Sequence, residues 1–331
     1  MKKILIGAVA LAALAASAVS ASAADKVVLQ LKWVTQAQFG GYYVAQEKGF
    51  YKDAGLDVEI RPGGPDINPE QILAGGGADV IVDWMPSALA SRQGGTTETN
   101  IAQIYKRSGL MMACRKDSGI TKPEDFKGKT LGVWFGGNEF PLLSWLTQLK
   151  IPTTGGADGV TLMKQGFNVD PFLQKQAACV SVMSYNEYHQ ILEAGVKPED
   201  VVLFNYTDYK VNNLEDGLYV QEERLKDPKF VDIMARFLKA SVKGWDDMRK
   251  DPKGAVAAVL KNDASGSQTE AHQTSMVEEV NKLTEGSDGT LDIAAAEQTV
   301  ANLMQGDKPV LTKKPEGAWT DVVTKAAAAL K

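Results

Sequence analysis

With 331 residues, 44% of them apolar and 23% charged, and a net charge of −5, the chain has an ordinary globular composition and enough length for two lobes. The acid excess argues against nucleic acid as a partner, since such binding rests on neutralising phosphates with Lys and Arg. The two histidines, His189 and His272, lie far apart in the sequence with no evident companions, which argues against a zinc centre or a Ser-His-Asp triad.

At the N-terminus, Lys2 and Lys3 precede an apolar stretch from Ile4 to Val19 that ends in Ala21-Ser22-Ala23. Charge, apolar run and small-x-small site make residues 1–23 a cleavable secretory signal peptide. The run is short and Ala-rich, whereas a spanning helix needs about 20 strongly apolar residues. No cysteine near the cleavage point offers a lipid attachment. A soluble, periplasmic mature chain is expected.

Val27 to Trp33 reads as a strand, and Gly40 to Glu47 as a helix stopped by Lys48-Gly49. Leu56 to Ile60 alternates apolar and polar residues, the pattern of a half-buried strand. A loop at Pro62 to Pro65, a short helix at Asn68 to Leu73, a strand at Ala78 to Val82 and a helix at Pro86 to Arg92 follow. This alternation predicts parallel α/β packing. A second unit starts near Arg115, with Thr121 as a cap before Pro123 to Phe126. Its predicted strands are Thr130 to Trp134, Thr161 to Met163, Cys179 to Met183 and Val201 to Phe204. Its helices are Glu139 to Leu149 and Asn186 to Glu193. The last third reads as helical. From Pro228 to Met248 an apolar stripe of helical period runs through Phe230, Ile233, Met234, Phe237, Leu238 and Trp245. Asp251-Pro252 starts another helix, and a tail helix covers Trp319 to Leu330.

The expected organisation is a first lobe from 24–112 and 218–331, interrupted by a second at 113–217. Two segments cross between them, as in a hinged clamp. Cys114 and Cys179 fall in predicted strands. Two cysteines exclude a disulfide-built scaffold, but an exported chain permits a disulfide. One bridge and two buried free thiols both fit the sequence, because it does not give the Cα separation.

Several fragments in order carry a resemblance. They are Leu31-Lys32-Trp33, Gly41-Tyr42-Tyr43-Val44-Ala45, Lys48 to Val58, Gly76-Gly77-Ala78-Asp79, Asp125 to Val133, and Asp227-Pro228. Together they resemble the SsuA/THI5 (NMT1-like) solute-binding family over nearly the whole mature chain. The resemblance implies a type II periplasmic-binding fold: α/β, two doubly wound lobes with the ligand in the cleft. It implies a monomer that serves an ABC permease and its ATPase, with no catalysis, cofactor or metal. Gln36 to Tyr43, Val82-Asp83-Trp84 and Trp134 to Glu139 look most like members that bind thiamine-pyrimidine precursors or riboflavin. Sulfonate or nitrate receptors are the alternative. The family's fungal pyrimidine synthases are enzymes, and the chain departs from them. Asp83 falls where their cofactor-binding lysine is, Ser87 where their donated histidine is, and Asn212 to Leu218 lacks their cysteines.

In doubly wound sheets ligands sit beyond the carboxyl ends of strands. Trp33, Trp84 and Trp134 fall at three such ends, and three indoles in two lobes point to a sandwich around a planar ring. Any one of them alone reads as a core cap. Gly136-Gly137-Asn138 is either a backbone cradle for an oxyanion or an ordinary strand-to-helix turn. Tyr185, Asn186 and Glu187 follow a strand. Asn and Glu suit the donor and acceptor edge of a heterocycle, and Asn186 equally suits a helix cap. Asp83 offers a partner for a ligand amine or for a structural Lys or Arg. Gln38 and Tyr42 add polar edges. No Arg stands beside these motifs, which disfavours a sulfonate.

Overall fold

The computed structural model describes residues 23–211 and 213–331; Asn212 and residues 1–22, where nearly all of the expected signal peptide falls, lie outside the described residues. Among the described residues the ten strands are β1 (Asp25–Gln30), β2 (Leu56–Arg61), β3 (Val80–Asp83), β4 (Glu98–Gln103), β5 (Leu110–Arg115), β6 (Thr130–Val133), β7 (Thr161–Lys164), β8 (Cys179–Met183), β9 (Val201–Asn205) and β10 (Gly217–Gln221). They form two five-stranded sheets, ordered β2-β1-β3-β10-β4 and β7-β6-β8-β5-β9. In each sheet three parallel strands adjoin an antiparallel pair of contacts. The fold is therefore two mixed α/β halves.

The first sheet takes β10 from beyond the second, so the chain crosses once between Gln103 and Leu110 and again between Asn205 and Gly217. β5 lies wholly in the second sheet, so the crossing falls at 104–109 rather than at the expected 112/113 boundary. β4 has no counterpart among the expected elements. Its sequence, Glu-Thr-Asn-Ile-Ala-Gln, looks like a polar loop, yet all six residues are buried. Trp319 bridges to Asn100 and closes this edge, which delays the tail helix to Val322–Ala329.

The helix Pro228–Lys250 buries Phe230, Met234, Phe237, Leu238, Trp245 and Met248. Pro228 has no N–H to leave unpaired, and the Asp227 carboxylate accepts from the Lys229 N–H at 2.9 Å. Gly41 lets this helix pack against Gly40–Glu47, because a Cβ there would stand 2.1 Å from the Trp245 ring. Cys114 lies directly opposite Cys179 in the β5/β8 ladder. The two form a disulfide, which decides between the alternatives the sequence leaves open.

Candidate functional site

The three indoles come together. Trp33, Trp84 and Trp134 line one cavity between the halves, with a volume of about 30 Å³, enough for a water-sized body. Trp33 and Trp84 follow β1 and β3 of the first sheet, and Trp134 follows β6 of the second. Trp33 and Trp134 meet edge to face, with centroids 6.3 Å apart and planes at 66°. They are not the parallel plates of a sandwich. An outer chamber of about 220 Å³ shares Lys32, Trp33, Trp134 and Asn138 with the inner cavity and adds Glu70, Phe135, Gly136 and Gln165.

Polar side chains that line the same cavity are joined in a row by hydrogen bonds. Asn186 Nδ2 donates to Gln36 Oε1 at 3.4 Å, Gln36 Nε2 to Gln38 Oε1 at 2.7 Å, and Gln38 Nε2 to Asp216 Oδ2 at 2.7 Å. Trp84 Nε1 closes the row by donating to Asp216 Oδ1 at 3.0 Å. Asn186, Gln36, Gln38 and Trp84 all line the cavity, as do Tyr185, Glu187 and Met183. Asn186 precedes the helix Glu187–Glu193 without capping it. Its side chain turns instead to Glu187 Oε1, at 2.8 Å, and to His272 Nε2, at 2.8 Å. Glu187 Oε2 accepts from the Met183 N–H at 2.9 Å. Burial pushes the Glu187 carboxyl up to about 7 and that of Asp216 up to about 6.

Other expected residues lie elsewhere. Asp83 is fully buried and does not line the cavity. Its Oδ1 takes the Lys32 ammonium at 2.5 Å and the Trp84 N–H at 2.7 Å. Burial raises the Asp83 carboxyl, and Lys32 beside it offsets only part of that rise. Burial pulls the Lys32 ammonium down, and Asp83, Glu70 and Asp216 together more than restore it. Asp83 thus has the structural partner that was one of its two readings, and Lys32 is the residue that reaches the cavity. Tyr42 packs in the first core, stacked on Phe237 at 6.4 Å and edge-on to Trp245 at 5.4 Å. Its aromatic bulk, not its hydroxyl, decides its place.

The Gly136-Gly137-Asn138 segment is split. Gly136 and Asn138 face the outer chamber. The Gly137 N–H is not free for an anion, because it donates to Glu139 Oε2 at 2.7 Å. The helix itself starts one turn residue later than expected, at Phe140.

Lys32, Gln36, Met183, Asp216 and His272 are the residues that sequence reasoning misses here. Lys32 and Gln36 lie within motif fragments and offered a signal. Asp216 lies 132 and 178 residues from its partners Trp84 and Gln38, and His272 lies 79 and 86 residues from its partners Glu193 and Asn186.

A family model described as NMT1/THI5 like matches residues 36–255. The chain is 24% identical over 243 residues to a formylaminopyrimidine-binding protein of Halalkalibacterium halodurans, a match spanning 72% of this chain and 71% of that one. It is 25% identical over 250 residues to the riboflavin-binding protein RibY of Chloroflexus aurantiacus, spanning 72% and 66%. Among solved structures, the periplasmic aliphatic sulphonate binding protein SsuA of Escherichia coli superposes with a TM-score of 0.62 at 15% identity, over 85% of each chain. That likeness concerns the fold, which is the periplasmic-binding type.

Proposed function

Since the chain belongs to the NMT1/THI5-like family, we propose that it is a solute-binding protein that closes two lobes on a small planar nitrogen heterocycle and leaves it unaltered. The observation that carries this reading is the pairing of three indoles with an unbroken polar row across one interlobe cavity. Aromatic faces hold a flat ring, and the row reads its edge. The two relatives that bind a pyrimidine and a flavin support it.

Within that class we assign an aminopyrimidine. A carboxyl that titrates near 7, as Glu187 does, suits a ring nitrogen beside an exocyclic amine. It gives its proton to the one and accepts from the other. The outer chamber, about 220 Å³, is the feature that favours riboflavin, since it has room for a side chain. Among the described residues lining the inner cavity, Lys32 is the one cation, and Asp83 takes its charge. A sulfonate or nitrate would lack a counterion there.

The rest of the proposal is the family's architecture applied to this chain. A signal peptide at 1–23 exports it to the periplasm, it works as a monomer, and its closed form is recognised by an ABC permease with its ATPase. It has no catalytic role, and Asp83, held by Lys32, occupies the position where the synthases carry their cofactor-binding lysine. Among the described residues no helix is long and apolar enough to cross a membrane, and no group of three metal-ligating side chains is assembled.

The test is a melting series with formylaminopyrimidine, riboflavin and taurine, with native mass spectrometry of protein purified without additions. A ligand that binds only the native state raises the melting temperature. The expected result is a shift with formylaminopyrimidine and none with taurine. A shift with taurine alone overturns the reading, and a yellow preparation assigns riboflavin.

A further inference from the structure

His272 stands on the helix Glu270–Leu283, which belongs to the first half. The Gln273 side chain accepts from the Ala37 N–H at 2.7 Å, and the Leu283 carbonyl accepts from the Lys106 N–H at 2.9 Å. Both ring nitrogens nevertheless bond residues of the second half. Nδ1 lies 2.9 Å from Glu193 Oε1, and Nε2 lies 2.8 Å from Asn186 Oδ1. Asn186 is 3% exposed and Glu193 is exposed, so the Asn186 contact is the one shielded from water.

That contact, with Gln190 Nε2 donating to the same Oδ1 at 3.1 Å, holds Asn186 as it faces the cavity, and of the two it is the one that comes from the first half. A carboxamide has one accepting and one donating end. Whichever end meets the imidazole, the other meets Gln36 Oε1 and Glu187 Oε1. Asn186 is therefore the first link of the polar row, and the ring behind it sets the direction of the whole row. We infer that His272 is a positioning residue of the ligand cavity: it crosses the cleft to fix the Asn186 carboxamide, so that the reading edge is complete only when the halves are closed. This rests on the proposed reading of the cavity as a ligand site, but its structural core is testable without a ligand.

The test compares three variants of the full chain. In His272→Gln the amide nitrogen takes the place of Nε2, which faces Asn186. In His272→Asn it takes the place of Nδ1, which faces Glu193. His272→Ala removes both. In the free proteins the Asn186 side-chain amide resonances are expected to stay near wild type in H272Q and to move in H272N and H272A. Affinity for formylaminopyrimidine or riboflavin, whichever the wild type binds, is expected to stay within about threefold in H272Q. It should fall about tenfold or more in H272N and H272A, chiefly through faster release. A purely structural histidine would not separate Gln from Asn in this way. Unmoved Asn186 resonances in H272A, or equal affinities in H272Q and H272N, overturn the inference. If the wild type binds neither compound, the ligand reading of the cavity fails, and the amide resonances still decide the role of His272.

Discussion

A Cβ on Gly137 would stand 2.4 Å from the Ser87 hydroxyl oxygen and 2.8 Å from the Ser87 Cβ. Gly137 precedes the first helix after β6 in the second half, and Ser87 lies in the helix Met85–Gln93 of the first. The two backbones thus meet across the cleft at a place that admits only a hydrogen. Gly137 also has φ +98°, a conformation that costs other residues about 1–3 kcal/mol. Gly137→Ala therefore has two separable effects. It lowers the unfolding free energy by about that strain, and it wedges the halves apart. Affinity should fall about tenfold or more. Adding Ser87→Gly removes the two closest atoms and leaves only the residue 87 Cα at 3.0 Å, but it does not remove the strain, so the double variant should regain most of the affinity while its melting temperature stays low. Recovery of both together, or of neither, would refute the closure argument.

Lys32 and Asp83 form a buried ion pair in which each partner keeps the other from being an isolated charge. Replacing Lys32 with Met leaves the Asp83 carboxylate without its counterion in a site of no solvent exposure. Loss of about 3–5 kcal/mol is expected from urea unfolding. Lys32→Met with Asp83→Asn neutralises the site, and an Asn oxygen still accepts from the Trp84 N–H. The double variant should recover at least half of the loss. A double variant as unstable as Lys32→Met alone would mean that packing, not charge, is what the pair supplies.

Glu215 ties the two crossing segments together. Its carboxylate accepts from the Ser108 hydroxyl and from the Gly109 N–H, the latter at 3.1 Å. Burial pushes it up to about 8, against the opposing pull of those two bonds. An unfolded Glu titrates near about 4.3, so the folded chain holds the proton across that whole interval while the unfolded chain has lost it. Stability from this group is fully present below the unfolded value and falls as pH rises, until it is gone above about 8. Glu187 and Asp216, raised to about 7 and about 6, act in the same direction. Together the three groups should cost wild type on the order of 4 kcal/mol between pH ~6 and ~9, read by urea unfolding. Glu215→Gln keeps the shape of the protonated acid. It should match wild type only near pH ~4 and exceed it by a margin that grows from pH ~6 to pH ~9. A wild-type profile that is flat or rises over this range contradicts the assignment.

The parallel strands were legible because each is a short apolar run between turn residues, and Leu56 to Arg61 alternates cleanly. The long helix at Pro228 was legible from its period and its Asp-Pro start. β4 was not, because its polar residues are buried by partners distant in sequence: Thr99 Oγ1 donates to the Gly317 carbonyl at 2.7 Å. The indoles of the cavity could be read from their positions at strand ends, a local signal. Tyr42 sat in an equally suggestive motif and went to the core, since helix periodicity does not say which helix will cover a face. Asp216 and His272 carried no local signal at all. His272 acquires its role only when the halves meet, and Asp216 only when β10 returns to lie beside β3 in the first sheet.

The Cys114–Cys179 bridge joins residues 65 apart in the middle of the second sheet, and both cysteines are fully buried. Closing a loop of that length restricts the unfolded chain by about 4 kcal/mol in the chain-entropy account. Thiol reagents should find no reactive group in the folded protein, and reductant alone should leave it intact, because the sulfurs open to solvent only on unfolding. In urea with reductant both thiols should titrate, and refolding should become less favourable. Cys114→Ala with Cys179→Ala should lower the unfolding free energy by about 2–5 kcal/mol without a change in affinity, since neither residue lines the cavity. Rapid reduction under native conditions would show that the second sheet opens locally, and would place the bridge in a dynamic segment instead of the core.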